Sequence, residues 1–346
     1  MKIVFMGTAE LSCASLAALA RDQRFSVAAV VTQPDQARGR VSKKQPVLPV
    51  KALAQTLNLP VLQPGRARDE AFIGELRRLA PDLIVVVAYG QILPPAILDL
   101  PRHGCLNVHT SRLPKYRGAA PIQWAIANGE SETGVTIMKM DAGLDTGPIL
   151  AQRRTPIESG DDAATLHDRL GRLGAELLLA TIPDYVAGKI QPQPQPAEGV
   201  SHAPKINKED GRIDWSLPAQ TTVNRLRAFT PWPGAFTFLA DPVGRASPRG
   251  EANISERLAG SLAPPQLLKI WKAEAVEKSG EPACQAEATE PRPGTILSAD
   301  KNGIMVACGR GTLRILELQR EGGRRLGAAE FLAGHPLPAG EKFVLP

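Results

Sequence analysis

The chain has 346 residues, enough for about two domains of ordinary size, and its 43% hydrophobic and 22% charged residues exclude a wholly disordered chain. Its net charge of +6 is spread over both halves, which suits a polyanionic partner without requiring one. Aromatic residues, at 4%, are too few for a strand-binding surface built on stacking, and 31 Gly with 31 Pro demand many turns.

In chain order, Lys2–Met6 is apolar and branched, as a buried strand is, and Ser12–Ala20 has the spacing of a helix. Glu10 interrupts the start before a secretory apolar region could form. Ser26–Thr32 is a second buried-type strand, ended by Gln33-Pro34-Asp35. Arg38-Gly39-Arg40-Val41-Ser42-Lys43-Lys44 then carries four cations and no acid in a Pro-bounded loop, and a charge run of this kind reads as a solvated loop or a polyanion contact.

Asp69–Leu79 places Phe72, Ile73, Leu76 and Leu79 at helical spacing, and Pro81 stops it. Leu83–Ala88 is continuously apolar, the pattern of a strand buried on both faces, and far short of the roughly 20 residues of a membrane helix. Cys105–Val108 and Gly134–Met140 are two further strands, and Thr165–Val186 is a long helix with Leu166, Leu170, Leu173, Leu177 and Leu178 on one stripe. This rhythm predicts an α/β domain over 1–189 with a Rossmann-like open sheet of parallel type.

Gln191-Pro192-Gln193-Pro194-Gln195-Pro196 can form neither helix nor central strand, so 190–204 is expected to be a semi-rigid Pro-rich linker. Beyond it the rhythm is lost. Short strands at Phe236–Leu239, Leu268–Trp271, Gly303–Ala307 and Thr312–Leu318, separated by Gly- and Pro-rich turns, predict a smaller OB-like β-barrel over 205–346. Asp241–Pro265 and Glu277–Pro293 have the composition of loop insertions.

The chemistry concentrates at the strand that runs into His109. Positions two apart share a strand face, so Asn107 and His109 point the same way, while Leu106 and Val108 point into the opposite layer. Two polar groups at the carboxyl end of a buried strand lie where open α/β sheets bind ligands. His can carry a proton near neutral pH and an Asn amide can hold a developing oxyanion. The loop Asp141-Ala142-Gly143-Leu144-Asp145-Thr146-Gly147 can present a carboxylate to them. Spacing does not choose between Asp141 and Asp145, and either could instead close an Asx turn. Cys105 reads as a packed thiol. Cys13, Cys105, Cys284 and Cys308 lie too far apart for a metal site or disulfide framework, so reduced thiols, a cytoplasmic location and no metal are expected.

The stretch Asn107–Leu150 closely resembles the methionyl-tRNA formyltransferase family, as do Ala88–Pro94, Ala203–Ser216 and Arg227–Ala235. The resemblance implies a catalytic trio of Asn107, His109 and Asp145, and a folate-binding segment at Ser111, Arg112, Leu113 and Pro114. It also implies tRNA contacts by Arg38, Arg40, Lys43 and Lys44. The implied formyl donor is 10-formyltetrahydrofolate and the implied acceptor methionyl-initiator tRNA, handled by a monomer without a membrane. Ala9-Glu10-Leu11 stands where the family usually has Pro-Asp-Phe, and Arg112 stands where Leu is usual. Formyl transfer to a small amine such as a sugar nucleotide, and RNA binding without catalysis, are the competing readings. The second domain and the basic loop argue against the first of these, and the retained trio against the second.

Overall fold

The computed structural model describes residues 1–35, 48–239, 265–276 and 291–344. Arg38, Arg40, Lys43 and Lys44 lie outside the described residues, as do nearly all of the two expected insertions. The chain divides into two compact units, Met1–Ala125 with Glu130–Lys205, and Ile126–Gly129 with Ile206–Pro346.

The first unit begins with β1 (Lys2–Gly7), α1 (Leu11–Arg21), β2 (Ser26–Val31), α2 (Pro49–Thr56) and β3 (Val61–Leu62). It continues with α3 (Glu70–Leu79), β4 (Leu83–Val87), α4 (Pro95–Leu98), β5 (Cys105–His109) and β6 (Arg117–Gly118). Then come α5 (Pro121–Ala127), β7 (Glu132–Lys139), β8 (Ile149–Pro156), α6 (Ala163–Val186) and β9 (His202–Ala203). Seven of these strands form one sheet in the order β3-β2-β1-β4-β5-β7-β8. All five residues of β4 are buried, as a central strand covered on both faces requires.

The sheet is mixed, which corrects the expectation of a parallel type. The pairs β1–β2, β2–β3, β1–β4 and β4–β5 are parallel, whereas β5–β7 and β7–β8 are antiparallel. The β7–β8 connection, residues 140–148, is too short for the crossover of a dozen or more residues that parallel neighbours need. Strand β8 escaped the sequence reading because Gln152-Arg153-Arg154 interrupts its apolar pattern at an edge position.

Helix α6 starts at a capping box in which Asp162 accepts from the Thr165 N–H and the Thr165 hydroxyl accepts from the Asp162 N–H. Gly188, just past its end, has φ 73°, as a helix-terminating glycine does. The helix approaches β5 closely at Gly174, where a Cβ would come within 2.8 Å of Val108 Cγ1. Gln191–Pro196 forms no regular element, yet it is no free spacer. Gln193 and Ile149 exchange backbone hydrogen bonds of 2.7 and 2.8 Å, and the stretch belongs to the first unit, which runs on to Lys205.

The second unit holds α7 (Ala219–Phe229), β10 (Ala235–Leu239), β11 (Gln266–Val276), β12 (Ile296–Asp300), β13 (Gly303–Ala307), β14 (Thr312–Arg320), β15 (Leu326–Gly327), α8 (Ala328–Gly334) and β16 (Phe343–Val344). It is built on a curled antiparallel sheet in the order β12-β13-β14-β11-β10-β16, with β15 alongside β14. All four strands expected here are present. Trp215 anchors its core, stacked on Phe343 at 5.3 Å and donating from Nε1 to the Thr237 hydroxyl. Helix α7 and strand β12 went unread because two adjacent Thr weaken the helical signal of one, and only the first residue of the other is buried.

Leu106 of β5 is fully buried opposite the face of Asn107 and His109. Leu106→Ala is expected to lower the unfolding free energy of the first unit by about 2–5 kcal/mol, read from its urea transition.

Candidate active site

Strand β5 delivers Asn107 and His109 to one face, as strand alternation requires, while Val108 packs toward α6. The His109 ring is held by two contacts. Its Nε2 lies 2.9 Å from the Tyr116 carbonyl oxygen, and its Nδ1 lies 3.7 Å from Asp145 Oδ2. A carbonyl only accepts, so Nε2 carries the hydrogen and Nδ1 is the ring nitrogen turned to the carboxylate. Asn107 Nδ2 approaches the other carboxylate oxygen, Oδ1, at 3.4 Å. His109 is 6% and Asp145 14% exposed, so the pair meets where water screens little.

Asp145 sits on the β7–β8 hairpin loop with φ 53°, in the left-handed region, which Asp tolerates better than most side chains. Its Oδ2 also accepts from the Gly118 N–H at 2.8 Å. A Cβ on Gly147 would come within 1.9 Å of the Lys139 carbonyl oxygen, so only glycine closes this loop. Asp141, the other candidate from the sequence, spends Oδ1 within the loop, accepting from the Gly143 N–H at 3.0 Å and the Thr146 hydroxyl at 2.8 Å. Geometry thus assigns Asp145 to the His109 side and Asp141 to the turn.

The trio opens on a cavity of about 780 Å³, within the range of small-molecule sites. Its lining includes the apolar Leu11, Val86, Ile92, Leu93, Met138 and Leu144, and Asn107, His109 and Asp145 are among its polar residues, with Arg117, Asp141 and Lys205. It lies near the carboxyl ends of β4 and β5, beside the point where the strand order reverses. Tyr89 lines this cavity, its hydroxyl is buried with no hydrogen-bond partner among the described residues, and burial pushes its pKa up to about 12, so it stays protonated.

Ser111, Arg112, Leu113 and Pro114 are not among the cavity-lining residues. Ser111 is fully buried, its hydroxyl donating to the Lys115 carbonyl, and Arg112 pairs with Glu132. The Leu113 N–H donates to the Thr136 hydroxyl, which donates in turn to the Ser111 carbonyl. This segment braces the turn that brings the Tyr116 carbonyl to His109.

Sequence reasoning missed several contributors: Tyr116 and Gly118 act through backbone atoms, which no side-chain pattern reveals. It also missed Gln195, whose amide donates to the Asp145 and Gly147 carbonyl oxygens, each at 2.8 Å. The glycine of Arg117-Gly118 was the available clue, since its φ of 123° marks a backbone position shaped for close approach.

The mixed α/β sheet of the first unit and the curled antiparallel sheet of the second are the two domains of a formyl transferase. Residues 1–182 match the formyl transferase family and residues 205–336 match the formyl transferase C-terminal domain. The methionyl-tRNA formyltransferase of Citrifermentans bemidjiense is 47% identical over 340 residues, covering 98% of this chain and 95% of that protein. That of Myxococcus xanthus is 47% identical over 344 residues, covering 99% and 98%. The chain belongs to the methionyl-tRNA formyltransferase family. Among solved structures, an N-formyltransferase from Helicobacter canadensis, crystallised with folinic acid and dTDP-3-aminofucose, shares the fold with a TM-score of 0.58 at 19% identity, over 91% of this chain and 98% of that one.

Cys105 lies two residues before Asn107 with its thiol against the Ile97 and Leu98 carbonyls, and burial pushes its pKa up to about 12. It is expected to stay unmodified by iodoacetamide at neutral pH in the native protein and to react once the chain is denatured, as read by mass spectrometry. Rapid native labelling would mean that the thiolate is accessible beside the site.

Proposed function

We infer that this chain transfers the formyl group of 10-formyltetrahydrofolate to the free amino group of methionine on initiator tRNA, giving the formylated initiator for translation. The observation that carries the reading is the Asn107–His109–Asp145 cluster in the lining of the cavity, in a chain 47% identical to methionyl-tRNA formyltransferases along its length. The cavity's lining combines apolar side chains with polar ones, which suits a donor that has both apolar and polar parts.

In the reaction the amine bonds to the formyl carbon, the bond from that carbon to the folate nitrogen breaks, and one proton passes from amine to folate. In our reading the Asn107 amide donates to the oxygen that becomes negative at the tetrahedral stage. His109, its Nε2 committed to Tyr116, is held at Nδ1 by Asp145, and Asp145 helps to take the proton from the attacking amine on its way to the folate nitrogen. The His109–Asp145 contact sits at low exposure, where a carboxylate's charge is little screened. Ser111, Arg112, Leu113 and Pro114 are the folate-binding segment in this reading, a role supported by the hydrogen bonds that hold Leu113 and Ser111 to Thr136 beside strand β5.

The first unit is the catalytic part in this reading. The second, whose curled sheet we take to be OB-like, and the basic stretch with Arg38, Arg40, Lys43 and Lys44 hold the tRNA, drawing on the net charge of +6. The enzyme works as a cytoplasmic monomer, a reading supported by the whole trio coming from one chain. Among the described residues no helix is long and apolar enough to cross a membrane.

His109→Ala and Asp145→Asn are each expected to lower formyl transfer to charged initiator tRNA by at least about a hundredfold while tRNA binding is retained. Near-normal turnover at either position would overturn the mechanism. Arg40→Lys keeps the charge but loses the planar fork, and is expected to lower kcat/KM for tRNA by about 1–3 kcal/mol, while Lys43→Arg is nearly silent. Equal, small and salt-sensitive effects at both positions would leave only diffuse charge attraction.

A further inference from the structure

We propose that Gln195 is a positioning residue that fixes the Asp145 carboxylate for the reaction, acting as a clamp between the Asp145 loop and Arg117. The proposal rests on the catalytic reading of Asp145 given above. Gln195 comes from the Pro-rich stretch whose composition reads as a spacer, yet its amide uses both of its ends on the site. Nε2 donates to the Asp145 and Gly147 carbonyl oxygens at 2.8 Å each, and Oε1 accepts from Arg117 Nε at 3.1 Å and Nη2 at 2.7 Å. An amide supplies two N–H donors and an acceptor oxygen on one rigid plane, and all of that capacity is taken up here.

The need for such a clamp lies in the loop itself. Asp145 holds φ 53°, a conformation it does not prefer, and the carbonyls of residues 145 and 147 follow directly on it in the loop. Pinning both carbonyls fixes the direction in which the Asp145 side chain leaves the backbone. The carboxylate is then caught from the other side by the Gly118 N–H, and Gly118 follows Arg117 in the chain. One dipeptide therefore anchors the loop twice, through the Gly118 backbone to the carboxylate and through the Arg117 side chain and Gln195 to the carbonyls. The same dipeptide pairs with His202–Ala203 as β6 with β9, so the segment bearing Gln195 is tied down on both sides of it. A displacement of about 1 Å at a reacting group can cost on the order of a hundredfold in rate, so a group that touches no substrate can still control turnover.

The test uses the full chain with Gln195→Met, which keeps the length and removes every hydrogen bond, and Gln195→Glu, which keeps the acceptor for Arg117 and removes both donors. For each, kcat is expected to fall about 10- to 50-fold with KM for the formyl donor and for charged tRNA within about twofold, and Tm lower by no more than about 4 °C. In an Asp145→Asn background, Gln195→Met is expected to add less than about twofold, because the clamp then has no carboxylate to place. Unchanged kcat in both Gln195 variants, alongside a disabled Asp145→Asn enzyme, would overturn the clamp and leave the catalytic reading intact. A loss that falls on KM, one that persists in full in the Asp145→Asn background, or failure of both variants to fold would also overturn it. Near-normal turnover by Asp145→Asn alone would instead remove the catalytic reading, and the clamp with it.

Discussion

The Asp145 carboxylate has to face the His109 ring across 3.7 Å from a backbone held at φ 53°, and much of the first unit is arranged around that constraint. The carboxylate is reached by a backbone N–H at 2.8 Å and by the Asn107 amide at 3.4 Å, and its loop is closed by a glycine with no room for a Cβ. These groups come from three elements, strand β5 with Asn107 and His109, the β6 dipeptide, and the β7–β8 hairpin, and Gln195 after α6 holds the loop by its carbonyls. Charge placed this way, with little water nearby, can act on a reacting group without first reorganising its surroundings.

Strand β5 links this arrangement to the core. One face carries Leu106 and Val108, the latter toward α6, where Gly174 allows the helix to come close. The other carries Cys105 into the apolar layer below, then Asn107 and His109 toward the cavity. A shift of one residue in this strand would exchange the two sets, so the burial of Leu106 and Val108 also fixes where the imidazole points. Stability and site geometry are the same constraint at this strand.

The antiparallel edge has a similar double role. Because β7 and β8 are joined by a hairpin rather than a crossover, their connection falls at the end of the sheet where the cavity opens, and it is long enough to carry both Asp141 and Asp145. Asp141 folds that loop on itself, and Asp145 leaves it toward His109. Two acidic residues four apart thus serve different ends through the direction of the backbone between them.

Residue chemistry and period alone determined a good deal. The continuous apolar run at 83–88 required a central strand, the alternation at 105–109 placed Asn107 and His109 together, and the leucine stripe with its Asp start required α6. The resemblance carried by residues 107–150 pointed to the trio. Tertiary structure decided what depends on backbone atoms and on pairing between distant segments. The edge strands are antiparallel, the Tyr116 carbonyl meets the His109 ring, and Thr136 ties Leu113 to Ser111. Gln195, in a stretch that composition reads as a spacer, hydrogen-bonds the loop of Asp145. Side-chain periodicity reports which face of an element is buried. It carries no record of which carbonyl or N–H from elsewhere in the chain will arrive there, because every residue but proline offers the same pair of backbone groups.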